Sequence, residues 1–202
     1  LRQAASSPGD VLISFLAQGE STKHMAPNEF LGNVLLLIVG GNDTTRNSIT
    51  AGVQALNQFP EQYDKLKGNI DLIPNMVSEI VRWQSPVAHM CRTAMDDVEV
   101  GGKTIRKWDK VAIWYLSGNR DAAHFADADR LIIDRANVRQ HLSFGYGIHR
   151  CLGNRLAEMQ LTILWQEIMQ RFAHVEVVGE AKYLNSSFIR GITELPVRVH
   201  DR

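Results

Sequence analysis

What this chain has little of narrows the field first. Its 202 residues include two cysteines, Cys91 and Cys151. That is too few for a disulfide framework, so a reducing, cytoplasmic setting is expected. Neither sign of charge is in excess, with 22 Lys plus Arg against 22 Asp plus Glu. Net charge therefore gives no reason to expect nucleic acid or an acidic membrane surface as a partner. The longest uninterrupted apolar run is Val34–Val39, far short of the ~20 residues of a spanning helix. No secretory signal is visible. Cys and His do not cluster at structural-zinc spacing, and the C-x-x-C-H pattern of covalent haem attachment is missing. Apolar content of 45% and charged content of 22% are ordinary for a globular chain, and this length can bury a sizeable core. The chain opens on Leu1, inside ordinary-looking sequence, which suggests a piece of something longer.

Proline is also sparse, and its gaps define elements. Asp10–Leu16 carries Val11, Leu12, Phe15 and Leu16 at helical spacing. Pro27 suits a first helical turn, and no proline follows until Pro60. That span is roughly 48 Å if helical. Its middle, Leu35–Val39, is apolar all round and predicts a helix buried through a domain centre. Gly40-Gly41-Asn42-Asp43-Thr44-Thr45 interrupts it with poor helix formers, each glycine costing about 1 kcal/mol relative to alanine. Either the helix ends there, or it continues through a functional distortion, since the pattern resumes at Ile49, Val53 and Leu56. In the second case a threonine hydroxyl takes a carbonyl from the ladder and the aspartate handles protons.

Pro60–Gly68 reads as a short polar helix. Pro74 opens another through Trp83, with Met76, Val77, Ile80 and Val81 inward. Glu79 and Arg82 are neighbours on one face of it; by itself such a pair is most simply a solvated ion pair. Asp97–Val100 and Lys103–Ile105 flank Gly101-Gly102 as a hairpin. Val111–Leu116 predicts a strand buried on both faces. Residues 119–142 are irregular and rich in Asp and Arg. A long helix then runs to Phe172, with Leu152, Leu156, Met159, Ile163 and Ile168 at helical spacing. Short strands at Val175–Val178 and Leu195–Val199 enclose a turn at Ser186–Gly191.

The most unusual stretch is Phe144-Gly145-Tyr146-Gly147-Ile148-His149-Arg150-Cys151-Leu152-Gly153. Its glycines permit a tight turn and place Cys151 where a loop enters a helix, a setting that favours a thiolate. Such a thiolate is a nucleophile or a metal ligand. A catalytic cysteine needs a base and an orienting partner; His149 is a candidate base, and nothing marks the third member. A buried inert cysteine leaves the glycines unexplained. An axial ligand to haem iron, under which a tight loop passes, accounts for both. It also gives the Asp43-Thr44 interruption a purpose, as a proton source on the opposite face.

Phe144–Gly153 fits F-G-x-G-x-H-x-C-x-G, and in this it resembles the cytochrome P-450 superfamily. Gly40–Thr45 resembles that family's oxygen-activation motif, and Glu79-Ile80-Val81-Arg82 its E-x-x-R motif, in the same order and spacing. The resemblance covers the whole chain. It implies a mainly α fold with small β-sheets, a long central helix over haem b (iron protoporphyrin IX) and a cysteine loop beneath it. It makes residues 1–202 the C-terminal fragment of a single domain whose N-terminal half is absent. Cys151 is then the iron ligand, with the Leu152 and Gly153 amides near its sulfur. Phe144, Gly145 and Gly147 shape the loop under the porphyrin, and Gly40 and Gly41 allow close approach above it. His149 and Arg92 match propionate-binding positions. Asp43 and Thr44 relay protons during oxygen activation. Glu79 and Arg82 become buried structural residues, joined by Arg130. Three departures stand out: Ala128-Asp129-Arg130-Leu131 replaces P-E/D-R-F, Trp108 occupies a turn where glycine is usual, and Cys91 stands beside Arg92 where a second arginine is common.

Ile38–Asn47, Glu79–Thr93, Trp114–Asp121 and Gln140–Leu156 look most like the bacterial medium-chain alkane terminal-hydroxylase subfamily. That implies electrons from a ferredoxin and its NADH-dependent reductase, O2 as co-substrate and an apolar small-molecule substrate, with no nucleic acid and no membrane span. Val87, Ala88, Met90, Ser187, Phe188 and Ile189 align with substrate-lining positions. Their apolar character also suits a fatty acid or sterol side chain. A haem-thiolate protein without a monooxygenase cycle is the further alternative. Arg139, Arg150 and Arg155 are candidate contacts for an acidic ferredoxin.

Overall fold

A computed structural model describes residues 12–202. Asp10 and Val11 of the first expected helix lie outside the described residues. The chain divides into two compact units, Leu1–Asp43 and Thr44–Arg202. Helices α1 (Leu12–Gln18) and α2 (Pro27–Gln58) open the chain. Helix α2 is unbroken through Gly40–Thr45, so the glycine-rich stretch is not a helix end. The hydroxyls of Ser48 and Thr50 donate to the carbonyls of Thr44 (2.9 Å) and Arg46 (3.2 Å), one turn back. Such back-bonding competes with the helix ladder just after the glycines.

In the first unit the ring expected to be buried faces outward. Leu35, Leu36, Ile38 and Val39 are 51–69% exposed. A helix apolar all round needs cover on every side, and the described residues do not supply it.

The second unit is built on helices. The C-terminal half of α2, α3 (Pro60–Gly68), α4 (Ile73–Gln84) and α6 (Asn154–Arg171) contribute to one core. Leu56, Leu66, Met76, Ile80, Leu161 and Trp165 are essentially inaccessible. Gly52 lets α2 approach its neighbours: a Cβ there would lie 2.8 Å from the Trp165 ring and 2.9 Å from Ile80 Cδ1. Helix α4 ends at Ser85, which takes a left-handed conformation (φ 46°) just before Pro86.

The expected apolar stripe of α6 is not its buried face. Leu156, Met159 and Ile163 are about half exposed, whereas Leu161, Trp165 and Met169 are buried. The helix is apolar on two faces, and spacing alone cannot choose between them.

Four two-stranded antiparallel sheets complete the described residues. Strand β1 (Met90–Thr93) pairs with β4 (Lys110–Ile113), and β2 (Val98–Val100) with β3 (Lys103–Ile105). The latter hairpin turns through Gly101 and Gly102, both at positive φ, as a two-residue I′ turn requires. The strand expected at Val111–Leu116 is shorter and largely exposed. With one partner strand its ladder has no second covering layer, and the chain turns into the short helix α5 (Tyr115–Asn119). Finally β5 (Phe172–Val177) pairs with β8 (Val197–Asp201), and β6 (Lys182–Tyr183) with β7 (Ile192–Glu194) around the 186–191 turn. The fold is mainly α with small sheets, as expected. No helix among the described residues is long and apolar enough to cross a membrane.

Candidate functional site

Cys151 is exposed at the end of a closed loop. Gly145 and Gly147 have φ of +68° and +73°, conformations that suit glycine. The Gly145 N–H donates to the Leu142 carbonyl (2.8 Å), Arg150 to Gly147 (3.0 Å) and Cys151 to Phe144 (2.8 Å). Helix α6 starts three residues later, so the thiol precedes the first helical turn.

The loop is apolar at its rim. Tyr146, Ile148 and Leu152 are 85–96% exposed. Phe144 faces the other way: it is half-buried against the helical core and lies 5.3 Å from the His141 ring. The Nδ1 of His141 accepts from the Ser143 N–H (3.2 Å). Burial, reinforced by the positive charges of Arg82, Arg150 and Arg139, lowers the His141 pKa to about 4. The imidazole is therefore neutral near pH 7.

Beneath the loop's entry lies a saturated ionic cluster. Glu79 and Arg82 have no accessible surface. Arg82 donates through Nε to Glu79 Oε2 (2.7 Å) and through Nη2 to Oε1 (2.9 Å), a bidentate pair. Its remaining N–H groups reach the carbonyls of Asn119 (2.6 Å), Ala128 (2.8 Å) and Arg130 (3.0 Å). The Ile132 N–H also donates to Glu79 Oε1 (2.9 Å). The isolated-pair reading, a solvated contact, does not hold here.

The third member of the cluster is Arg135, not Arg130. Arg135 Nε lies 3.2 Å from both Glu79 oxygens. The Arg130 side chain instead pairs at the surface with Glu61 (2.6 Å), and only its carbonyl joins the network. Leu131, Ile133 and Arg135 are buried, while Arg130 and Asp134 are exposed; Ile133 and Asp134 form a turn closed by the Arg135 N–H on the Ile132 carbonyl (3.1 Å). The departures at Ala128 and Leu131 leave the cluster intact, because the backbone carbonyl of Ala128 serves it and the Leu131 side chain packs in the core.

The expected apolar lining is partly assembled. Val87 bridges to Ile189, and the Ala88 N–H donates to the Phe188 carbonyl (2.9 Å). Ser186 Oγ accepts from the amides of Phe188 and Ile189 (both 3.1 Å), which shapes that turn. Met90 on β1 is exposed, as is Ser187. Sequence reasoning missed His89, stacked on Trp114 (4.5 Å) and edge-on to Phe188 (5.9 Å). Arg92 is half-buried with Nη1 on the Cys91 carbonyl (2.9 Å), and His149 is exposed. Thr44 is half-buried at the start of the second unit, and Gly40, Gly41 and Asp43 lie on the exposed surface of α2 in the first. Trp108 takes φ 75°, which confirms a turn that favours glycine.

An exposed thiol at a loop end with an apolar rim fits a flat, thiolate-ligated cofactor such as haem, which Cys151 would hold. No group of three or more Cys, His, Asp or Glu that could hold a metal occurs among the described residues.

The family model described as Cytochrome P450 matches residues 1–192. Linalool 8-monooxygenase of Pseudomonas putida is 44% identical over 95% of this chain and 47% of its own length. Methyl-branched lipid omega-hydroxylase of Mycobacterium tuberculosis is 42% identical over 93% of this chain and 44% of its own. The solved structure of Cytochrome P450-153 from Novosphingobium aromaticivorans superimposes with a TM-score of 0.89 at 48% identity, covering 93% of this chain and 47% of that one. The chain belongs to the cytochrome P450 family. It spans about half the length of the curated relatives it matches.

Proposed function

We propose that the whole protein is a haem-thiolate monooxygenase that hydroxylates the terminal methyl group of medium-chain n-alkanes. The balanced reaction is R-CH3 + O2 + two electrons + two protons to R-CH2OH + H2O. The supporting observation is Cys151, exposed at the end of a loop closed around two left-handed glycines. Thiolate-ligated haem supplies oxygen activation, because the thiolate pushes electron density onto iron and favours O–O cleavage. The chain's own residues do the rest. His149 and Arg92 orient the cofactor through its carboxylates. Asp43 and Thr44 deliver protons along α2. Val87, Ala88, Phe188 and Ile189 exclude water and guide an apolar chain, with Met90 and Ser187 at their margin.

Electrons come from a ferredoxin and its NADH-dependent reductase. Arg139 and Arg155 line one shallow cleft of about 340 Å³ beside Glu158 and Met159, and with Arg150 they offer an acidic partner positive charge. Residues 1–202 are read as a fragment of one such domain. The exposed Leu35–Val39 ring and the Leu156–Ile163 face of α6 support this, because both await cover. The likeness to a methyl-branched lipid omega-hydroxylase favours one second reading, the chain end of a lipid in place of an alkane.

The decisive experiment is the spectrum of the reduced, CO-bound protein. A red-shifted Soret band that disappears in Cys151→Ala is expected, and its persistence in that variant refutes ligation by Cys151. Thr44→Ala should uncouple electron consumption from product; unchanged coupling removes the proton-relay role. Incubation with octane and with a fatty acid of similar length then separates the two substrate readings.

A further inference from the structure

The five-residue helix α5 is too short to be stable by itself, yet it carries a glycine and a fully buried asparagine. Every polar atom of the Asn119 side chain is used. Its Oδ1 accepts from the Leu142 N–H (2.7 Å), and its Nδ2 donates to Ser143 Oγ and Ser85 Oγ (both 2.8 Å). Those hydroxyls pass the contact on, Ser143 to the Val81 carbonyl (2.7 Å) and Ser85 to the Arg82 carbonyl (2.9 Å). One side chain thus ties the C-terminal end of α4 to the two residues that lead into the cysteine loop.

Two close approaches support the same seat. A Cβ on Gly118 would lie 2.7 Å from Leu142 Cδ1. A Cβ on Gly145 would lie 3.2 Å from the hydroxyl oxygen of Tyr115, itself a buried residue. Leu142 is also the residue whose carbonyl receives the Gly145 N–H. Beyond Gly145 the loop is exposed and is closed mainly by its own backbone bonds. Its placement is therefore decided at Leu142–Gly145.

We propose that α5 is the seat of the cysteine loop, with Gly118 and Asn119 as positioning residues that set where Cys151 stands. The functional meaning rests on reading Cys151 as the haem ligand; the positioning itself does not.

The test uses the intact protein with Gly118→Ala, Leu142→Ala, the double variant and the milder Ser143→Ala. Helix propensity alone predicts that Gly118→Ala stabilises α5. Seating predicts the reverse at the loop. Exchange of the Gly145 and Cys151 amide hydrogens in the haem-free protein should be about tenfold faster, with α4 core amides unchanged. The double variant should return to the rate of Leu142→Ala alone, and Ser143→Ala should accelerate the same two amides by a smaller factor. In haem-loaded protein, Gly118→Ala should shift the CO-bound Soret population away from the red-shifted form. Unchanged loop exchange in both Gly118→Ala and Ser143→Ala, or a double variant as fast as Gly118→Ala, overturns the proposal. Loop exchange that follows the expected pattern while wild-type protein lacks the red-shifted band upholds the seat and rejects the haem reading.

Discussion

The Glu79 cluster and the cysteine loop are joined through one asparagine, and they are built in opposite ways. Around Glu79 every charge is buried and both carboxylate oxygens accept more than one donor. Around Cys151 the backbone closes on itself and, Phe144 apart, the large side chains face outward. A buried charge is tolerable only when fully compensated, so the cluster can have one arrangement. An exposed loop carries no such penalty and can be spent on a ligand. Rigidity is concentrated beneath the reactive group rather than at it.

The widest gap between the two regions should come from Glu79→Gln. It strips two buried guanidinium groups of their counter-charge and should cost about 3–5 kcal/mol. Arg130→Ala, which breaks an exposed pair with Glu61, should cost under about 1 kcal/mol. Urea midpoints of both variants test the assignment of Arg135 as the inner partner; equal losses would return that role to Arg130.

His141 lies between the two regions and makes the contrast depend on pH. Its folded pKa is about 4 against an ordinary 6.5. The unfolded chain therefore binds the extra proton first as pH falls. The stabilisation is complete above about pH 6.5 and drains away as pH drops toward 4, by on the order of 3 kcal/mol. Urea melts of wild type and His141→Gln across this range should show the wild type losing more. Parallel curves would mean that the imidazole is not buried as described.

A small effect should come at the turn between β3 and β4. Trp108 holds φ 75° while 61% exposed, so Trp108→Gly should relieve strain and stabilise by about 0.5–1 kcal/mol. A lower melting temperature would show that packing of the indole, over which Lys107 Nζ sits at 5.4 Å, outweighs the strain.

Much of this was legible beforehand where local chemistry decides. Proline at Pro27, Pro60 and Pro74 marked helix starts to within a residue. The Gly101-Gly102 pair marked a hairpin, because only left-handed residues close it. The glycines before Cys151 marked a turn for the same reason. The E-x-x-R pair was visible as a pattern but its burial was not, and the strand at Met90–Thr93 and the helix at Tyr115–Asn119 left no readable signal. Less legible was which side of an element would be covered. The Leu35–Val39 ring and the strand at Val111–Leu116 are expected to be buried and are not, since apolar sequence shows only that a surface prefers cover, not that this chain provides it.

Local sequence marked the starts of the long helices, the glycine turns and the thiol, because propensity and positive φ act over a few residues; it did not mark α5, whose first two residues read as strand. Only the tertiary structure decided that Arg135 completes the Glu79 cluster, that Asn119 spans α4 and the loop, and that Gly118 must stay small for Leu142. Those outcomes join residues far apart in the chain. They depend on which backbone carbonyls and side chains meet in space, and no local pattern records that.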